Sequence, residues 1–529
     1  MAEMKRYFWD NIEDMDGAEK NANRMQILDT AVVNENTDSI KRGLEKLRES
    51  PYFARIDFKD SETEIPVYIG IRGFRDETRQ TLIYDWRAPI SSMFYDYEVG
   101  PASFKAPVGV IEGVIILKRQ YKITHGHMEY MIETNVNIDD EILQKELSGN
   151  SDEKMKNIVA TIQKEQNDII RNEEANVLII QGAAGSGKTS IALHRIAFML
   201  YRFKNTIKSS DMLILSPNKV FGNYISNVLP ELGEDNIQEL GFEEIVREVL
   251  GSKVKMQTFA EQISYLLDKD DDAMKERIEF KSSVTFYLEL KEYLTKLEEE
   301  YFKVHDISIQ GITLPSVKIE TFLKSFPKMS LKDKMTKMKK DLTLRMKMLL
   351  SQKDINWKKE YGTKVKNEIE SMFPFKTANK VYENFLIKIK RSDLFQRLDK
   401  NKLEYSDVFP LAYTKNFFEK VEGYTYVKHL LIDEMQDYTP IQYAVINKLF
   451  HCKMTILGDA YQAVNPYSSS SLDKISKVFD NSQGVTLCKS YRSTIEIAEF
   501  AQSISPNPDI ILVERHGEIP TVEGFKTNE

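Results

Sequence analysis

The residues with the clearest chemical pattern form a glycine-rich stretch from Gly182 to Thr189. Its sequence, Gly-Ala-Ala-Gly-Ser-Gly-Lys-Thr, has the G-x-x-x-x-G-K-[ST] spacing of a phosphate-binding P-loop. Glycines let the backbone turn so that successive N–H groups point at one anion. Lys188 would reach the β- and γ-phosphates, and the Thr189 hydroxyl would bind Mg²⁺. The pattern predicts a site for ATP and Mg²⁺; the alternative is a glycine-rich loop that binds nothing.

A second pair of chemical groups, Asp433 and Glu434, directly follows the mostly apolar run Val427–Ile432. In this Walker B arrangement one carboxylate holds Mg²⁺ through water, and the next accepts a proton from the attacking water. We therefore assign Asp433, together with Thr189, to the metal and Glu434 to catalysis. The alternative is an ordinary acidic loop, which the preceding apolar strand and the P-loop elsewhere in the chain disfavour.

Two further polar groups follow apolar runs near the end of the sequence. Gln462 comes just after Met454–Asp459, where its amide would reach a γ-phosphate or the attacking water. Arg492 follows Val485–Ser490 and would neutralise charge that develops on the transferred phosphoryl group. Taken singly, both are weak signals, because a Tyr–Arg pair such as Tyr491–Arg492 is usually a surface feature.

Strands and helices must position these residues, and the apolar pattern predicts them. Val177–Ile180 and Met212–Leu215 indicate buried strands, and Ile191–Leu200 indicates a helix directly after the P-loop. Strand–loop–helix units of this kind predict an α/β fold with a parallel sheet. Residues 151–171 have the spacing of an amphipathic helix, on which the Gln166 amide could pair with an adenine edge. Taken alone, Gln166 is more often a surface glutamine.

The remaining chain divides by pattern, and 529 residues are enough for several domains. Alternating apolar and polar residues after Pro51 predict strands, whereas residues 251–400 are Lys-rich, Gly-poor and mostly helical in spacing. The predicted order is an N-terminal helical segment (1–50), a small β-rich domain (51–150), the first part of the nucleotide-binding domain (151–250), a helical insertion (251–400), the rest of that domain (401–480) and the start of a second domain (481–529).

Composition limits the class of partner. The chain has 73 basic against 81 acidic residues, a net charge of −8, so it is not a polycation that coats nucleic acid. The basic stretch from Lys328 to Lys353 is either a solvated helical face or part of an arm that meets a polyanion or an acidic protein surface. Two cysteines without metal-type spacing, no signal peptide and no membrane-spanning run predict a cytoplasmic protein without a membrane partner.

In order and spacing these segments resemble the motif set of superfamily-one, UvrD/Rep-like helicases. The matches are Gln166 (Q motif), Gly182–Thr189 (motif I), Ser216–Lys219 (motif Ia), Asp433–Asp437 (motif II), Gly458–Gln462 (motif III) and Tyr491–Arg492 (motif IV). The resemblance implies a RecA-like P-loop NTPase motor domain that hydrolyses ATP. It implies catalytic roles for Lys188, Glu434, Gln462 and Arg492, the last as an arginine finger. It also implies nucleotide contacts from Gln166, Gly182, Ala183, Ala184, Gly185, Ser186, Gly187, Lys188, Thr189, Ser190 and Tyr491.

The resemblance narrows to the HelD family on Pro51–Phe58, Val67–Gly70, Tyr84–Asp96 and Tyr405–Pro410. HelD proteins are ATP-driven motors that bind bacterial RNA polymerase and release it from stalled or post-termination complexes. The resemblance therefore implies RNA polymerase core as the partner. Residues 1–50 would be the arm that enters the secondary channel, and residues 251–400 the arm that enters the main, DNA-binding channel.

Three departures from this family pattern keep other functions open. The sequence ends soon after motif IV, so we expect a truncated product whose nucleotide site forms only half. The segment before Pro51 is short for a channel arm. Motif III continues as Ala463–Ser468 instead of the aromatic-Arg-Gly stretch that stacks on single-stranded DNA, which favours a polymerase remodeller. The alternatives are a 3′–5′ DNA helicase, with DNA as partner, and a truncated, non-catalytic nucleotide- or polymerase-binding protein.

Overall fold

The structure is a computed structural model that describes residues 25, 41, 43–133, 162–183, 185–217, 228–230, 232, 234–269, 271–327, 329–398, 402–463, 471–490, 493–508, 510–512 and 516–523. Most of the predicted segment 1–50 lies outside these residues, as do Ala184, Tyr491 and Arg492. The chain divides into two compact units. Unit 1 comprises Met1–Asn172, Leu193–Thr206 and Ile225–Asn236, and unit 2 comprises Glu173–Ala192, Ile207–Tyr224 and Ile237–Glu529.

Unit 1 contains a seven-stranded sheet in the order β3-β4-β2-β1-β6-β5, with β7 paired to β6. Its strands are β1 (Ala54–Lys59), β2 (Glu64–Gly70), β3 (Phe74–Arg75), β4 (Thr81–Asp85), β5 (Gly100–Ala106), β6 (Gly109–Thr124) and β7 (His127–Glu133). Alternation explains the sheet, because Ile56 and Phe58 on β1 are buried whereas Lys59 is exposed. The antiparallel register places Ile56 opposite Val67, so the buried positions of the two strands coincide.

A buried charge cluster follows β4 in unit 1. The Arg87 guanidinium donates to both carboxylate oxygens of Asp85, at 2.8 Å each, and also pairs with Glu234. The Arg171 guanidinium donates to the backbone carbonyl of Trp86 at 2.7 Å and to that of Arg87 at 3.1 Å. Because Arg171 directly follows the helix Lys164–Ile170, the cluster ties that helix to the sheet of unit 1.

Unit 2 is organised on a six-stranded parallel sheet in the order β10-β9-β15-β16-β8-β17. The strands are β8 (Val177–Gly182), β9 (Met212–Leu215), β10 (Gln238–Leu240), β15 (His429–Ile432), β16 (Lys453–Gly458) and β17 (Ser482–Leu487). The four central strands are continuous apolar runs whose residues are buried almost throughout, as expected of a parallel sheet covered on its faces. All four were predicted from the sequence: Val177–Ile180 lies within β8, Met212–Leu215 is β9, and the apolar runs that end before Asp433 and Asp459 contain β15 and most of β16.

Helices connect these strands. The helices that follow strands of the sheet are Lys188–Arg202, Phe242–Leu250, Pro440–Leu449 and Leu472–Ser476. Ile495–Ile504 follows the short strand β18 (Lys489–Ser490), which pairs with β19 (Ile511–Leu512). The helix Pro440–Leu449 begins at a capping box, in which Thr439 accepts from the Gln442 backbone N–H and the Gln442 side chain accepts from that of Thr439.

Residues 251–400 are mainly helical. The helices are Phe259–Asp268, Asp272–Lys281, Val284–Glu300, Ser316–Lys324, Leu331–Ser351, Lys359–Ser371 and Ala378–Lys388, with the hairpin β11 (Ile307–Ile309) and β12 (Ile312–Leu314) and the first strand of the pair β13 (Arg397–Leu398) and β14 (Lys402–Leu403). In the helix Leu331–Ser351, Met338, Leu342 and Met346 recur every four residues and are fully buried. Its basic side chains are partly neutralised, because Lys337 pairs with Asp341 and Lys339 with Glu370.

A buried ion pair joins this helical region to the helix Tyr405–Glu419. The Lys281 ammonium lies 2.7 Å from an Asp407 carboxylate oxygen, and both side chains are at most 1% exposed. The Tyr382 hydroxyl donates to the same Asp407 oxygen at 2.7 Å. The pair therefore fixes three helices against one another, because removing either charge would leave the other buried without compensation.

Candidate functional site

The P-loop lies between the end of β8 and the start of the helix Lys188–Arg202. The sequence predicts both this strand and this helix. Gly185 and Gly187 have φ values of 76° and 84°, the left-handed region that favours glycine. A Cβ at Gly182 would lie 2.5 Å from the Ser186 hydroxyl oxygen, so only glycine fits there. The Ser186 hydroxyl is buried and has no hydrogen-bond partner among the described residues, which leaves a polar group available inside the loop.

Lys188 is held over this loop by backbone carbonyls. Its ammonium donates to the Gly182 oxygen at 2.8 Å and to the Ala183 oxygen at 3.0 Å. Carbonyls are weaker partners for an ammonium than an ionised phosphate oxygen is. An ionised phosphate in the loop would therefore readily replace these carbonyls as the hydrogen-bond partner of Lys188. Thr189 and Ser190 follow on the first turn of the helix, the first half-buried and the second buried.

Asp433 and Glu434 directly follow β15, next to β9 in the sheet. The Asp433 backbone N–H donates to the Leu215 carbonyl at 3.0 Å, and the Asp433 side chain is 5% exposed. Burial raises the pKa of Asp433 to about 7, the charge of Glu434 adds to the rise, and the Lys188 ammonium opposes it. Lys188 and Asp433, 245 positions apart in the sequence, thus interact electrostatically within unit 2.

These groups fit a Mg²⁺ ion. Mg²⁺ prefers oxygen ligands and usually keeps several waters, so that one or two carboxylates and the phosphates of the substrate suffice. Burial, the main cause of the raised pKa of Asp433, disfavours its charged form, and a divalent cation beside the carboxylate would offset that penalty. Asp433 and the Thr189 hydroxyl are the residues that would hold the ion.

Glu434 has backbone angles that are rare for a residue with a side chain, with φ of 51° and ψ of 56°. Its carboxylate accepts a hydrogen bond from the Gln436 amide nitrogen at 2.8 Å. The Gln436 amide oxygen accepts the backbone N–H of Asp459 at 3.0 Å. A Cβ at Gly458 would lie 2.5 Å from that amide oxygen, which explains the glycine before Asp459. Non-glycine left-handed residues concentrate at functional sites.

Sequence reasoning gave Gln436 no role, although it lies in the stretch Asp433–Asp437 that resembles motif II. The signal that could have found it is the pairing of Gln436 with the Gly458-Asp459 dipeptide. Reading that signal needs the register of β15 against β16, which places the two loops side by side. The neighbouring Asp437 carboxyl has its pKa raised to about 6, mainly by burial and then by Glu434.

Asp459 and Gln462 occupy the loop after β16. The Asp459 side chain is buried and accepts the Tyr461 backbone N–H at 3.1 Å, and the Gln462 backbone N–H donates to the Asp459 carbonyl at 3.0 Å. Asp459 lines a crevice with Gly182 and Ala183, so the structure brings this loop beside the P-loop. The Gln462 side chain is exposed, and its role toward a γ-phosphate stays a prediction.

The other predicted nucleotide contacts belong to unit 1 or lie outside the described residues. Gln166 belongs to unit 1, where its side-chain oxygen accepts the Gln163 backbone N–H at 3.3 Å and so caps the helix Lys164–Ile170. Ala184, Tyr491 and Arg492 lie outside the described residues. The assignments of these four residues therefore stay predictions.

Comparison with known proteins decides the family. The sequence model of the UvrD/REP helicase N-terminal domain matches residues 162–482, more than half of the chain. The chain belongs to the UvrD/REP helicase family. Residues 2–151 match the N-terminal domain of DNA helicase IV, HelD, so the chain is a HelD-like member, which confirms the resemblance recognised in its motifs.

Within this family, the chain is 37% identical over 83 residues to the ATP-dependent DNA helicase srs2 of Schizosaccharomyces pombe. That match covers 15% of this chain and spans only 9% of the length of srs2. In the described part of the chain, no helix is both long and apolar enough to cross a membrane.

Proposed function

We propose that this chain is an ATP- and Mg²⁺-dependent motor that binds bacterial RNA polymerase and dissociates stalled or post-termination complexes. The observation that carries the motor chemistry is the convergence of Lys188 and Asp433. A flexible cation on the P-loop and a buried carboxylate after β15 interact at the carboxyl edge of the same parallel sheet. Ligands of open α/β sheets bind at that edge.

In this proposal Lys188 holds the β- and γ-phosphates, and Thr189 and Asp433 hold Mg²⁺, which supplies charge neutralisation at the phosphates. Glu434 orients the attacking water and accepts its proton, and the Gln436 amide fixes the carboxylate for that role. Gln462 couples the γ-phosphate to movement, and Arg492 is the arginine finger. Gln166 pairs with adenine, and Tyr491 stacks on it.

The polymerase part of the proposal rests on the match of residues 2–151 to the HelD N-terminal domain and on the HelD-like stretches in the sequence. The helical region 251–400 would be the arm that enters the DNA-binding channel. Exposed basic residues on the helix Leu331–Ser351, among them Lys340, Arg345 and Lys347, suit a polyanionic environment.

A second candidate function, a 3′–5′ DNA helicase, is supported by the similarity to srs2, which is named as an ATP-dependent DNA helicase. It uses the same ATP chemistry but predicts stimulation by single-stranded DNA. A third candidate function is that of a non-catalytic binding protein. It predicts nucleotide binding without turnover, and polymerase binding that does not depend on nucleotide.

The nucleotide site is tested by Lys188→Ala, with Lys204→Ala as the matched control. Lys204 is exposed and lies just after the helix that Lys188 begins. We expect ATP turnover to fall about 10²-fold or more in Lys188→Ala, because the positive charge that stabilises the phosphates is lost. Affinity for Mg-ATP should fall with it, whereas Lys204→Ala should match the parent chain in both measurements. Unchanged binding and turnover in Lys188→Ala would refute the assignment.

The partner is tested by competition. The chain is mixed with bacterial RNA polymerase core and a single-stranded oligonucleotide at equal concentrations, and the bound fraction of each is measured at two salt concentrations. Preference for polymerase supports the proposal. Preference for the oligonucleotide, with affinity that falls steeply as salt rises, supports the DNA helicase instead.

A further inference from the structure

A small crevice lies in unit 2 beside the loop that follows β15. Its lining comes from the helices Phe259–Asp268, Asp272–Lys281 and Tyr405–Glu419 and from the segment between Asp437 and Gln442. The space inside it is about 30 Å³, which is room for about two waters. The crevice is therefore large enough for the head group of a ligand or side chain, but not for a nucleotide.

Two acceptor groups of the crevice have no hydrogen-bond donor among the described residues. Gln262 is 2% exposed, and its amide oxygen is buried without a partner. The Asp437 carboxylate has no side-chain donor and no ion-pair partner in the described part of the chain. Burial raises the pKa of Asp437, the charge of Glu434 adds to the rise, and no cation opposes it. Because a buried acceptor without a donor is costly, both groups favour a ligand that donates hydrogen bonds.

The cation of the lining, Lys281, is engaged elsewhere. Its ammonium lies 2.7 Å from an Asp407 carboxylate oxygen and donates to the Leu394 carbonyl at 2.7 Å and to the Ser406 hydroxyl at 3.4 Å. An ammonium has three N–H donors, and these three partners use all of them. Lys281 is therefore not available to neutralise Asp437, and the crevice keeps an unpaired negative charge.

Two aromatic rings form part of the same lining. Phe259 and Tyr405 have ring centroids 5.6 Å apart, and Phe259 is 39% exposed, so its ring can be reached from solvent. Burial raises the pKa of Tyr405, and the charges of Glu243 and Asp437 add to the rise, so both carboxylates lie near this ring. Aromatic faces attract cations. The rings and the carboxylates therefore favour the same kind of ligand.

We propose that this crevice binds the head group of a guanidinium cation, from either a free small molecule or an arginine side chain of a protein partner. A guanidinium carries one positive charge and five N–H donors, so it can bond to Gln262 and Asp437 together. It is also planar and stacks on aromatic faces such as that of Phe259. A phosphate is a poor ligand here, because Asp437 would repel it. The site is separate from the P-loop and does not depend on the proposed motor activity.

The test is a ligand-observed NMR titration of the full chain with ethylguanidinium, in the absence of nucleotide. We expect saturable binding, and at least about tenfold weaker binding of ethylurea, which has a similar shape but no charge. Asp437→Asn should weaken the binding of ethylguanidinium at least about tenfold, and Gln262→Met should weaken it about threefold or more. The matched control is Asp268→Asn, which changes the net charge equally at an exposed position outside the crevice. It should keep the affinity within about twofold, because solvent and salt screen an exposed charge.

Three results would overturn the proposal: no saturable binding to the parent chain, equal binding of ethylguanidinium and ethylurea, or equal losses in Asp437→Asn and Asp268→Asn. Circular dichroism spectra identical to that of the parent chain show that the variants are folded, and Gln262→Met decides if Asp437→Asn is not. A tripeptide with a central arginine and blocked ends then identifies the source of the cation. Binding of this peptide assigns the crevice to an arginine of a protein partner, and absence of binding assigns it to a free guanidinium compound.

Discussion

The side chain of Gln436 joins Glu434 to Asp459: its nitrogen donates to the Glu434 carboxylate at 2.8 Å, and its oxygen accepts the Asp459 N–H at 3.0 Å. An amide offers both a donor and an acceptor, so it can bond to a carboxylate and to a backbone N–H at once. The loops after β15 and β16 are thereby linked. A displacement of one loop would move the carboxylate that we assign to water activation.

Gln436→Glu separates the two bonds. A glutamate can still accept from Asp459, but it cannot donate to Glu434 and places a like charge beside it. We expect turnover to fall about tenfold or more, because small misplacements of a catalytic group are costly, while Mg-ATP affinity changes little. The measurement is steady-state ATP hydrolysis together with nucleotide titration. If Gln436→Glu hydrolyses ATP at the parental rate, the bond to Glu434 does not orient the carboxylate.

Gly182→Ala tests the packing of the P-loop. The added Cβ would lie 2.5 Å from the Ser186 oxygen and 2.9 Å from the Lys188 Cγ, so loop and lysine must shift. We expect Mg-ATP affinity to fall about tenfold or more, measured by titration with a fluorescent nucleotide. The matched control is Gly241→Ala, where the nearest atom beyond the chain neighbours is 3.8 Å away and φ is −79°. Equal affinity in the two variants would contradict the expected crowding.

Arg87→Ala tests the buried charge cluster of unit 1. Removal of Arg87, which is 5% exposed, takes away the guanidinium that bonds to both Asp85 and Glu234. We expect the free energy of unfolding to fall by about 3–5 kcal/mol, as when one partner of a buried pair is removed. The control is Arg55→Ala, because the Arg55–Asp57 pair has the same sequence spacing but a more exposed arginine, at 24%. In denaturant unfolding, the free energy of unfolding should be much lower for Arg87→Ala than for Arg55→Ala. Equal losses in the two variants would contradict the prediction.

Lys118 makes the sheet of unit 1 sensitive to alkaline pH. Burial lowers the pKa of Lys118 to about 8, against opposition from Glu98 and Asp96. Between pH 8 and about 10.4, the unfolded chain therefore binds a proton that the folded chain does not, so stability rises with pH by roughly 1.4 kcal/mol per unit. Below pH 8 both states carry the proton, and this gain is absent.

Lys118→Met removes that dependence. The measurement is amide hydrogen exchange of β6 in parent and variant at pH 7.5 and 9.5. We expect the parent to be less protected than the variant at pH 7.5, and the difference in protection to be smaller at pH 9.5. Lys59→Met, at an exposed position of β1, is the control and should track the parent at both values. A constant difference between parent and Lys118→Met across this range would contradict the lowered pKa.

The sequence by itself determined the local parts of this protein. The strand–loop–helix around the P-loop could be predicted because an apolar run, a glycine-rich loop and a helical stretch follow one another in the sequence. The structure of each of these segments is determined by its own residues. The family could be recognised because motif order and spacing are properties of the chain alone. The strands Val177–Ile180 and Met212–Leu215 and the helix Ile191–Leu200 were predicted for the same reason. The structure contains all three, and the first strand and the helix are longer than predicted.

Only the tertiary structure decided which distant groups meet. The order β16-β8-β17 brings Asp459 beside Gly182, and the pair Lys281–Asp407 joins residues 126 positions apart. Periodicity shows which face of a strand or helix is buried, but not what packs against it. The link through Gln436 and the left-handed Glu434 both depend on how the loops after β15 and β16 pack together. These arise from packing between segments, and no single stretch of sequence carries that information.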